Sequence, residues 1–248
     1  MRVLLNGLLP KYVLSDHRLP RTSKLLYLAM RSGRKGTTKE YAERLGIPYA
    51  TVRRAMVELR ERDWVYPFRI PKQRSLVYVP FMPLEVERLV AAELERWFDA
   101  VPSRGEQLLK AFLDLLVDDD HFLDNARPSW AAAGPGDAPP EFDRIYPHWR
   151  VAIDFQGRQH YEEATFPDEK SDLKRQQSLD ARKALACLRQ QYTLVEIADV
   201  ELSYETIVAK LRGLLPMIPP LTHRPLFRTL QALCREHAQQ AAERRTAG

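Results

Sequence analysis

The sequence predicts a small α+β domain followed by a larger α/β domain with a central mixed sheet flanked by helices. The chain has 248 residues, of which 45% are apolar, which is enough for packed cores in one large or two smaller domains. Helical and strand patterns fall into two groups, with a boundary marked by Pro102, Ser103 and Gly105. We therefore predict four segments: a domain over 1–82, a connecting helix over 83–103, a second domain over 104–216, and a linker with a final helix over 217–248.

The charge is divided unevenly between these parts. Residues 1–80 contain 17 Lys and Arg against 6 Asp and Glu, a net of +11, whereas the remainder contains 21 against 27, a net of −6. The basic part is suited to a polyanion, and the acidic part collects carboxylates. The chain has only two cysteines, no apolar run of the roughly 18 residues that span a bilayer, and no P-loop or GxGxxG motif. We therefore expect a cytoplasmic protein without a signal peptide, a membrane partner or a bound nucleotide.

The first 82 residues predict three helices and a hairpin. TSKLLYLAMRS predicts a helix buried on one side, and TTKEYAERLG predicts a second one, capped by Thr37 or Thr38 and ended by Gly46. YATVRRAMVELRERD predicts a third helix, whose buried face holds Val52, Ala55, Met56 and Leu59 at helical spacing. Two strands follow around a basic tip from Arg69 to Arg74.

This order of elements resembles a winged helix-turn-helix domain, in which the third helix enters the DNA major groove with its N-terminal residues. The resemblance implies that Tyr49, Ala50, Thr51, Arg53 and Arg54 contact DNA, with Arg69, Lys72, Gln73 and Arg74 as a wing on the phosphates. The alternative is that these arginines only solvate a surface helix and that the domain mediates protein contacts.

The connecting and C-terminal helices have apolar stripes. In the connecting helix we expect Leu84 and Leu89 to pack inward and Glu87 to face water. The final helix has a stripe of Phe227, Leu230, Leu233 and Cys234, which is either a dimer interface or a surface that packs on its own domain.

The run EFDRIYPHWRVAIDFQGRQHY, from Glu141 to Tyr161, predicts two strands joined by a tight turn. In the second strand Asp154 and Gln156 share a face with Ala152, because strand side chains alternate. The hairpin can bring Asp143 beside Asp154. Two converging carboxylates are costly unless a cation such as a divalent metal neutralises them.

GEQLL, FDRIYP and AIDFQGRQHY, in a helix–strand–hairpin–helix–strand–helix order over about 110 residues, resemble the PD-(D/E)xK, or restriction-endonuclease-like, nuclease superfamily. The similarity is to small bacterial members with an "IEFQGxQHY"-type strand. It implies catalytic roles for Glu106, Asp143, Asp154 and Gln156. It also implies Mg²⁺, for which Mn²⁺ can substitute, held by Asp143, Asp154 and the backbone carbonyl of Phe155, with Glu106 on a second metal or the attacking water.

The chain departs from this family at Gln156, where the usual residue is lysine. A neutral amide can hold a water molecule or a phosphate oxygen but supplies no positive charge. We expect Lys183 on the following helix to supply it, with Lys174 and Arg175 as further candidates, and a solvated helix face is the alternative for Lys183. Gln159 and His160 are predicted to contact the DNA phosphate.

These patterns predict a metal-dependent DNA endonuclease positioned by a winged domain. A single carboxylate cluster cuts one strand, so a double-strand break requires a homodimer or a larger nucleoprotein complex. Two alternatives stay open: a non-catalytic DNA-binding protein on a decayed nuclease fold, and a nuclease subunit of a mobile-element or defence complex that is active only with partners.

Overall fold

The computed structural model describes most of the chain as two compact units. It covers residues 11–31, 36–69, 75–119, 121–134, 136–157, 167–218 and 221–247. One unit comprises the residues up to Leu94 together with Arg224–Leu226, and the other comprises Glu95–His223 and the residues from Phe227 onwards. The predicted contacts Lys72, Gln73, Arg74, Gln159 and His160 lie outside the described residues, and Arg69 is described only as the backbone end of a strand.

The first unit is built from short helices and a small antiparallel sheet. The helices are α1 (11–15), α2 (Arg21–Arg31), α3 (Thr38–Leu45) and α4 (Tyr49–Glu61). The strands are β1 (Gly36–Thr37), β2 (Val65–Arg69) and β3 (Leu76–Pro80), and β3 lies in the middle of the sheet. The predicted third helix and the two strands of the hairpin are confirmed.

Local sequence signals explain where α3 begins and ends. The Thr37 side chain accepts a hydrogen bond from the Glu40 backbone, and the Glu40 side chain accepts one from Thr37, which forms a capping box. Gly46 ends the helix in the left-handed region, with φ of 62°, where a residue without Cβ is favoured. The predicted buried face of α4 is also confirmed, since Val52, Ala55, Met56 and Leu59 are all within 2% of full burial.

Helix α5 (Leu84–Ala100) contains both apolar and charged residues in unexpected places. Leu84 and Leu89 are exposed, whereas Glu87 is buried, so the predicted inward and outward assignments of these three residues are wrong. Glu87 forms an ion pair with Arg224 and accepts a hydrogen bond from the backbone of Leu226. A cationic partner that lies far away in the sequence removes the cost of burying this carboxylate.

The second unit has a four-stranded mixed sheet, which confirms the predicted sheet type. The strands are β4 (Leu123–Ala126), β5 (Phe142–Tyr146), β6 (Val151–Gln156) and β7 (Thr193–Ala198), and they lie side by side in this order. The pairings of β4 with β5 and of β5 with β6 are antiparallel, and β6 and β7 are parallel. The helices are α6 (Arg104–Leu116), α7 (Pro167–Arg189), α8 (Tyr204–Leu211) and α9 (Pro225–Ala247).

The two faces of this sheet pack against different helices. On one face, Ile145 and Ala152 lie directly opposite each other and pack with Ala186 and Cys187 of α7. On the other face, Arg144 contacts Asp114 of α6. Helices therefore cover both faces, as expected for a central sheet in an α/β unit.

The apolar stripe of α9 packs within its own unit. Phe227 contacts the rings of Phe112 and Tyr204 at centroid distances of 5.8 and 5.1 Å, and Leu230, Leu233 and Cys234 are buried. The stripe is therefore not an exposed dimer interface, and the alternative of packing within the chain holds. Among the described residues, no helix is long and apolar enough to cross a membrane.

Candidate functional site

Asp143 and Asp154 lie side by side on neighbouring strands. The last pair of the ladder is Arg144 with Ile153, and continuing this register by one residue brings Asp143 on β5 opposite Asp154 on β6. The charge of Asp154 acts directly on the pKa of Asp143, which agrees with this proximity. Directly opposite residues of an antiparallel pair project to the same face. The hairpin thus brings together the two carboxylates that the sequence predicted to converge.

Asp154 is buried and surrounded by donors. It is 2% exposed, and the Nζ atom of Lys183 lies 2.7 Å from each of its carboxylate oxygens. Its Oδ2 atom also accepts a hydrogen bond from Nε2 of Gln156 at 3.1 Å. Burial raises the pKa of Asp154, the charge of Lys183 counteracts this, and Asp180 and Glu196 add to the increase. Lys183 is therefore a cation in direct contact with Asp154, whereas the side chains of Lys174 and Arg175 are outside the described part of α7.

Asp143 has much weaker compensation. Its carboxylate accepts a hydrogen bond from the backbone N–H of Phe155 at 2.5 Å. Burial, followed by the negative charges of Asp154 and Glu106, raises the pKa of Asp143 to about 7, although the Phe155 hydrogen bond and Lys110 act in the opposite direction. Functional sites often contain a largely desolvated carboxyl group beside like charges, with a pKa near neutrality.

Glu106 lies in the first turn of α6, near Asp143, and its carboxylate is paired with Lys110. It forms an ion pair with Lys110, one helical turn further on, and the Nζ atom of Lys110 also donates to Asn125 on β4. Gly105 allows the start of α6 to approach the sheet closely, because a Cβ atom there would lie 2.3 Å from the Phe155 ring. Sequence reasoning missed Lys110, although its i,i+4 spacing from Glu106 was the signal available.

Gln156 and Glu196 form a second connection at the same edge. Gln156 is buried, and its Nε2 atom donates to Oε1 of Glu196 on β7 at 3.0 Å as well as to Asp154. The register explains the contact, because Asp154 pairs with Glu196 across the parallel strands. Sequence reasoning also missed Glu196, whose only signal was an acidic residue in the middle of the otherwise apolar strand TLVEIA.

The described side chains offer few ligands to a metal ion. No three His, Cys, Asp or Glu residues among them form a group that could hold one. What the arrangement does offer is two neighbouring carboxylates, the buried Asp154 and the half-buried Asp143, with the backbone N–H of Phe155 hydrogen-bonded to Asp143. Hard oxygen donors with an excess of negative charge suit Mg²⁺, which keeps several of its waters and needs only one or two carboxylates from a protein.

The predicted DNA-contacting residues of the first unit lie on an exposed surface. Tyr49, Ala50, Thr51, Arg53 and Arg54 are all exposed at the start of α4, and Tyr49 is 53% exposed. Val52, Ala55, Met56 and Leu59 of the same helix are buried, so the side of α4 that holds Arg53 and Arg54 is the solvent-exposed one. This face is accessible to a large anionic partner.

Comparisons with known proteins give no family for this chain. A scan against protein-family models finds no match, and no curated protein is significantly similar in sequence.

Proposed function

We propose that this protein is a metal-dependent DNA endonuclease of the PD-(D/E)xK type, positioned on DNA by a winged helix-turn-helix domain. The observation that supports this most directly is the pair formed by the half-buried Asp143 and the buried Asp154 on neighbouring antiparallel strands, with Lys183 in contact with the second carboxylate. The mixed sheet with helices on both faces is compatible with the core of such a nuclease.

The donor set fits Mg²⁺ or Mn²⁺ because the carboxylates of the site outnumber the two lysines beside them. The carboxylates are those of Asp143, Asp154, Glu106 and Glu196, and the cations are Lys110 and Lys183. Asp143, Asp154 and the carbonyl of Phe155 would hold the ion, which when bound supplies charge stabilisation and a more acidic water molecule. Lys183 supplies a fixed positive charge next to the phosphate that is cut. Gln156 presents an amide to the attacking water or to a phosphate oxygen, and Glu106, oriented by Lys110, completes the acidic site.

The proposed DNA-binding role rests on the exposed basic face of α4 and on the excess of +11 in the first 80 residues. In the described part of the first unit, the helices α2, α3 and α4 and the three-stranded antiparallel sheet follow one another in the order expected of a winged domain. Arg53 and Arg54 near the start of α4 would enter the major groove, where arginine pairs with guanine.

Cleavage is tested with supercoiled plasmid and Mg²⁺, and then with Mn²⁺. We expect nicking by the wild type and a loss of at least about 10²-fold in Asp154→Ala, because this substitution removes a buried carboxylate of the site. Asp137→Ala, in an exposed loop, serves as the matched control and retains full activity. The enzyme proposal fails if the wild type nicks no faster than Asp154→Ala with either metal.

DNA binding is tested separately with Arg53→Ala combined with Arg54→Ala. We expect about a tenfold loss of affinity at moderate salt and a shallower dependence of affinity on salt, because two phosphate or base contacts are removed. Arg60→Ala with Arg62→Ala removes the same charge from the other end of the helix and should have a smaller effect. Equal losses in both double variants would mean that α4 does not read DNA with its N-terminal residues.

A second candidate function is DNA binding without catalysis on the same fold. The observation that favours it is Gln156, a neutral amide where related nucleases have lysine, together with the two contacts between Lys183 and Asp154 that occupy this carboxylate. In that case Arg53 and Arg54 would still be needed for binding, and no metal would produce nicking above the Asp154→Ala level.

A further inference from the structure

The amide of Gln156 is held by two carboxylates through the same nitrogen atom. Nε2 donates to Oδ2 of Asp154 at 3.1 Å and to Oε1 of Glu196 at 3.0 Å. An amide NH₂ group has two hydrogens, so both are used. Among the described residues, no donor is hydrogen-bonded to the Oε1 atom of Gln156.

These two contacts determine which way the amide is oriented. A glutamine side chain can be turned by 180° about its last bond, which exchanges the oxygen and the nitrogen. In the exchanged orientation the carbonyl oxygen would face two carboxylate oxygens without a hydrogen between them. If Asp154 were the only neighbour, a small rotation of the Gln156 side chain would move its oxygen away from that carboxylate. With one carboxylate on β6 and another on β7, only the orientation that places Nε2 between them avoids the repulsion.

We propose that Glu196 is a positioning residue, which together with Asp154 fixes the amide of Gln156 so that its carbonyl oxygen is a pre-oriented acceptor at the site. This rests on the proposed nuclease function and extends it to a residue outside the predicted catalytic set. In this arrangement Gln156 accepts a hydrogen bond from the attacking water and aligns it with the phosphate. The positive charge that a lysine would bring at this position comes from Lys183 instead.

Glu196 is suited to this role by its location as well as by its charge. It lies on the neighbouring parallel strand and is directly paired with Asp154. Its carboxylate therefore reaches Gln156 with the regular strand pairing intact. Its own backbone carbonyl accepts a hydrogen bond from Lys210 of α8 at 2.8 Å, which ties β7 to the helix that follows it. Unlike Asp154, Glu196 is exposed and is not in contact with Lys183 among the described contacts, so its role can be separated from that of the buried pair.

The test measures steady-state nicking by Glu196→Ala, Glu196→Gln and Gln156→Ala in the 248-residue chain. We expect Glu196→Ala to lower kcat by about tenfold with little change in KM, because a hydrogen bond to a charged group that orients the amide is lost. Glu196→Gln keeps an acceptor oxygen and should remain within about threefold of the wild type. Thr193→Ala, an exposed position on the same strand, is the matched control and should not change kcat.

A double-variant cycle separates positioning from an independent role. If Glu196 acts through Gln156, the combination of Gln156→Ala with Glu196→Ala has the same kcat as Gln156→Ala alone. Losses that multiply in the double variant would overturn the proposal, because Glu196 would then act on the reaction by another route. Equal activity of Glu196→Ala and the wild type would also overturn it.

An NMR measurement that does not depend on nuclease activity tests the contact between Glu196 and Gln156 separately from the nuclease proposal. In an amide ¹⁵N–¹H spectrum, the side-chain signal that is missing in Gln156→Ala belongs to Gln156. We expect Glu196→Ala to move this signal and Thr193→Ala to leave it in place. If it does not move, the contact with Glu196 does not hold the amide, whether or not the protein cuts DNA. If it moves in a protein that shows no nicking, the nuclease proposal has failed and the positioning contact stands.

Discussion

The two faces of the four-stranded sheet contain buried charges that are compensated to very different extents. Asp143 and Arg144 are neighbours on β5, so their side chains project to opposite faces. Arg144 is 1% exposed and forms ion pairs with Asp114 and Asp124, and its guanidinium also lies over the ring of Phe122 at 3.9 Å. Asp143 has one backbone hydrogen bond and lies beside the carboxylates of Asp154 and Glu106.

This difference separates a charge cluster that compensates itself from the carboxyl group of the proposed site. Burial lowers the pKa of Arg144, but the hydrogen bonds with Asp124 and the charge of Asp114 outweigh it, so the pKa is raised and the guanidinium stays charged. The pKa of Asp143 is raised as well, but for a carboxyl group this means that the charged form is disfavoured. A cluster that satisfies its own charges has no need of a ligand, whereas one that does not is suited to bind a cation.

The largest expected effect on stability comes from the compensated face. Arg144→Met leaves Asp114 and Asp124 without their shared cation, and we expect a loss of about 3–5 kcal/mol in the free energy of unfolding. Urea unfolding measures this directly. Arg127→Met, which breaks an exposed ion pair with Glu141, is the matched control and should cost less than about 1 kcal/mol. Similar losses in both variants would mean that the buried ion pairs of Arg144 stabilise the fold no more than an exposed ion pair does.

The second prediction concerns the weakly compensated carboxyl group of Asp143 and the dependence of stability on pH. The pKa of Asp143 is about 7 in the folded protein and about 4 in an unfolded chain, so the folded state holds a proton that the unfolded state has released between these values. The contribution of Asp143 to stability is therefore fully present below pH 4 and is lost as the pH rises through 7. Asp143→Asn removes this loss, and we expect it to be more stable than the metal-free wild type at pH 8 by on the order of 2–4 kcal/mol.

The measurement is urea unfolding of both proteins at pH 4.5 and pH 8 with a chelator present. The difference between them should nearly vanish at the lower pH. Asp137→Asn makes the same change of carboxyl to amide in an exposed loop and should show no such gain at pH 8. If Asp143→Asn is less stable than the wild type at pH 8, the charged form of Asp143 does not destabilise the fold, and the contrast with Arg144 is wrong.

The smallest expected effect concerns the approach of α6 to the sheet. In Gly105→Ala the added methyl group meets the Phe155 ring at 2.3 Å and the His237 ring at 2.6 Å, so the helix must move away. We expect a loss of about 1–3 kcal/mol in unfolding free energy and a reduced nicking rate, because Glu106 moves with the helix. Gly134→Ala, where the nearest atom is 3.6 Å away, should be nearly neutral. A stable but inactive Gly105→Ala protein would show that the position of Glu106 matters more than packing.

Sequence reasoning predicted the elements of the site better than its contacts. The hairpin, the shared face of Asp154 and Gln156, and the proximity of Asp143 all follow from strand periodicity and a short turn, and the structure has each of them. Lys183 was expected to be a nearby cation, and its Nζ atom does lie beside Asp154, although its catalytic role stays a prediction. Lys110 and Glu196 were missed, because the i,i+4 spacing of the first and the apolar strand around the second are weak local signals that do not identify Asn125 or Gln156 as the partner.

The sequence by itself determined which residues share a face and where helices begin and end. These properties depend on the geometry of a few consecutive residues, as the capping box at Thr37 and the alternation along Val151–Gln156 illustrate. Only the tertiary structure decided which elements meet these faces. It brings Glu196 beside Gln156 and Arg224 beside Glu87 across 40 and 137 residues, and it covers the stripe of α9 within its own unit. Such contacts depend on how strands and helices pack, and a local pattern carries no information about the partner.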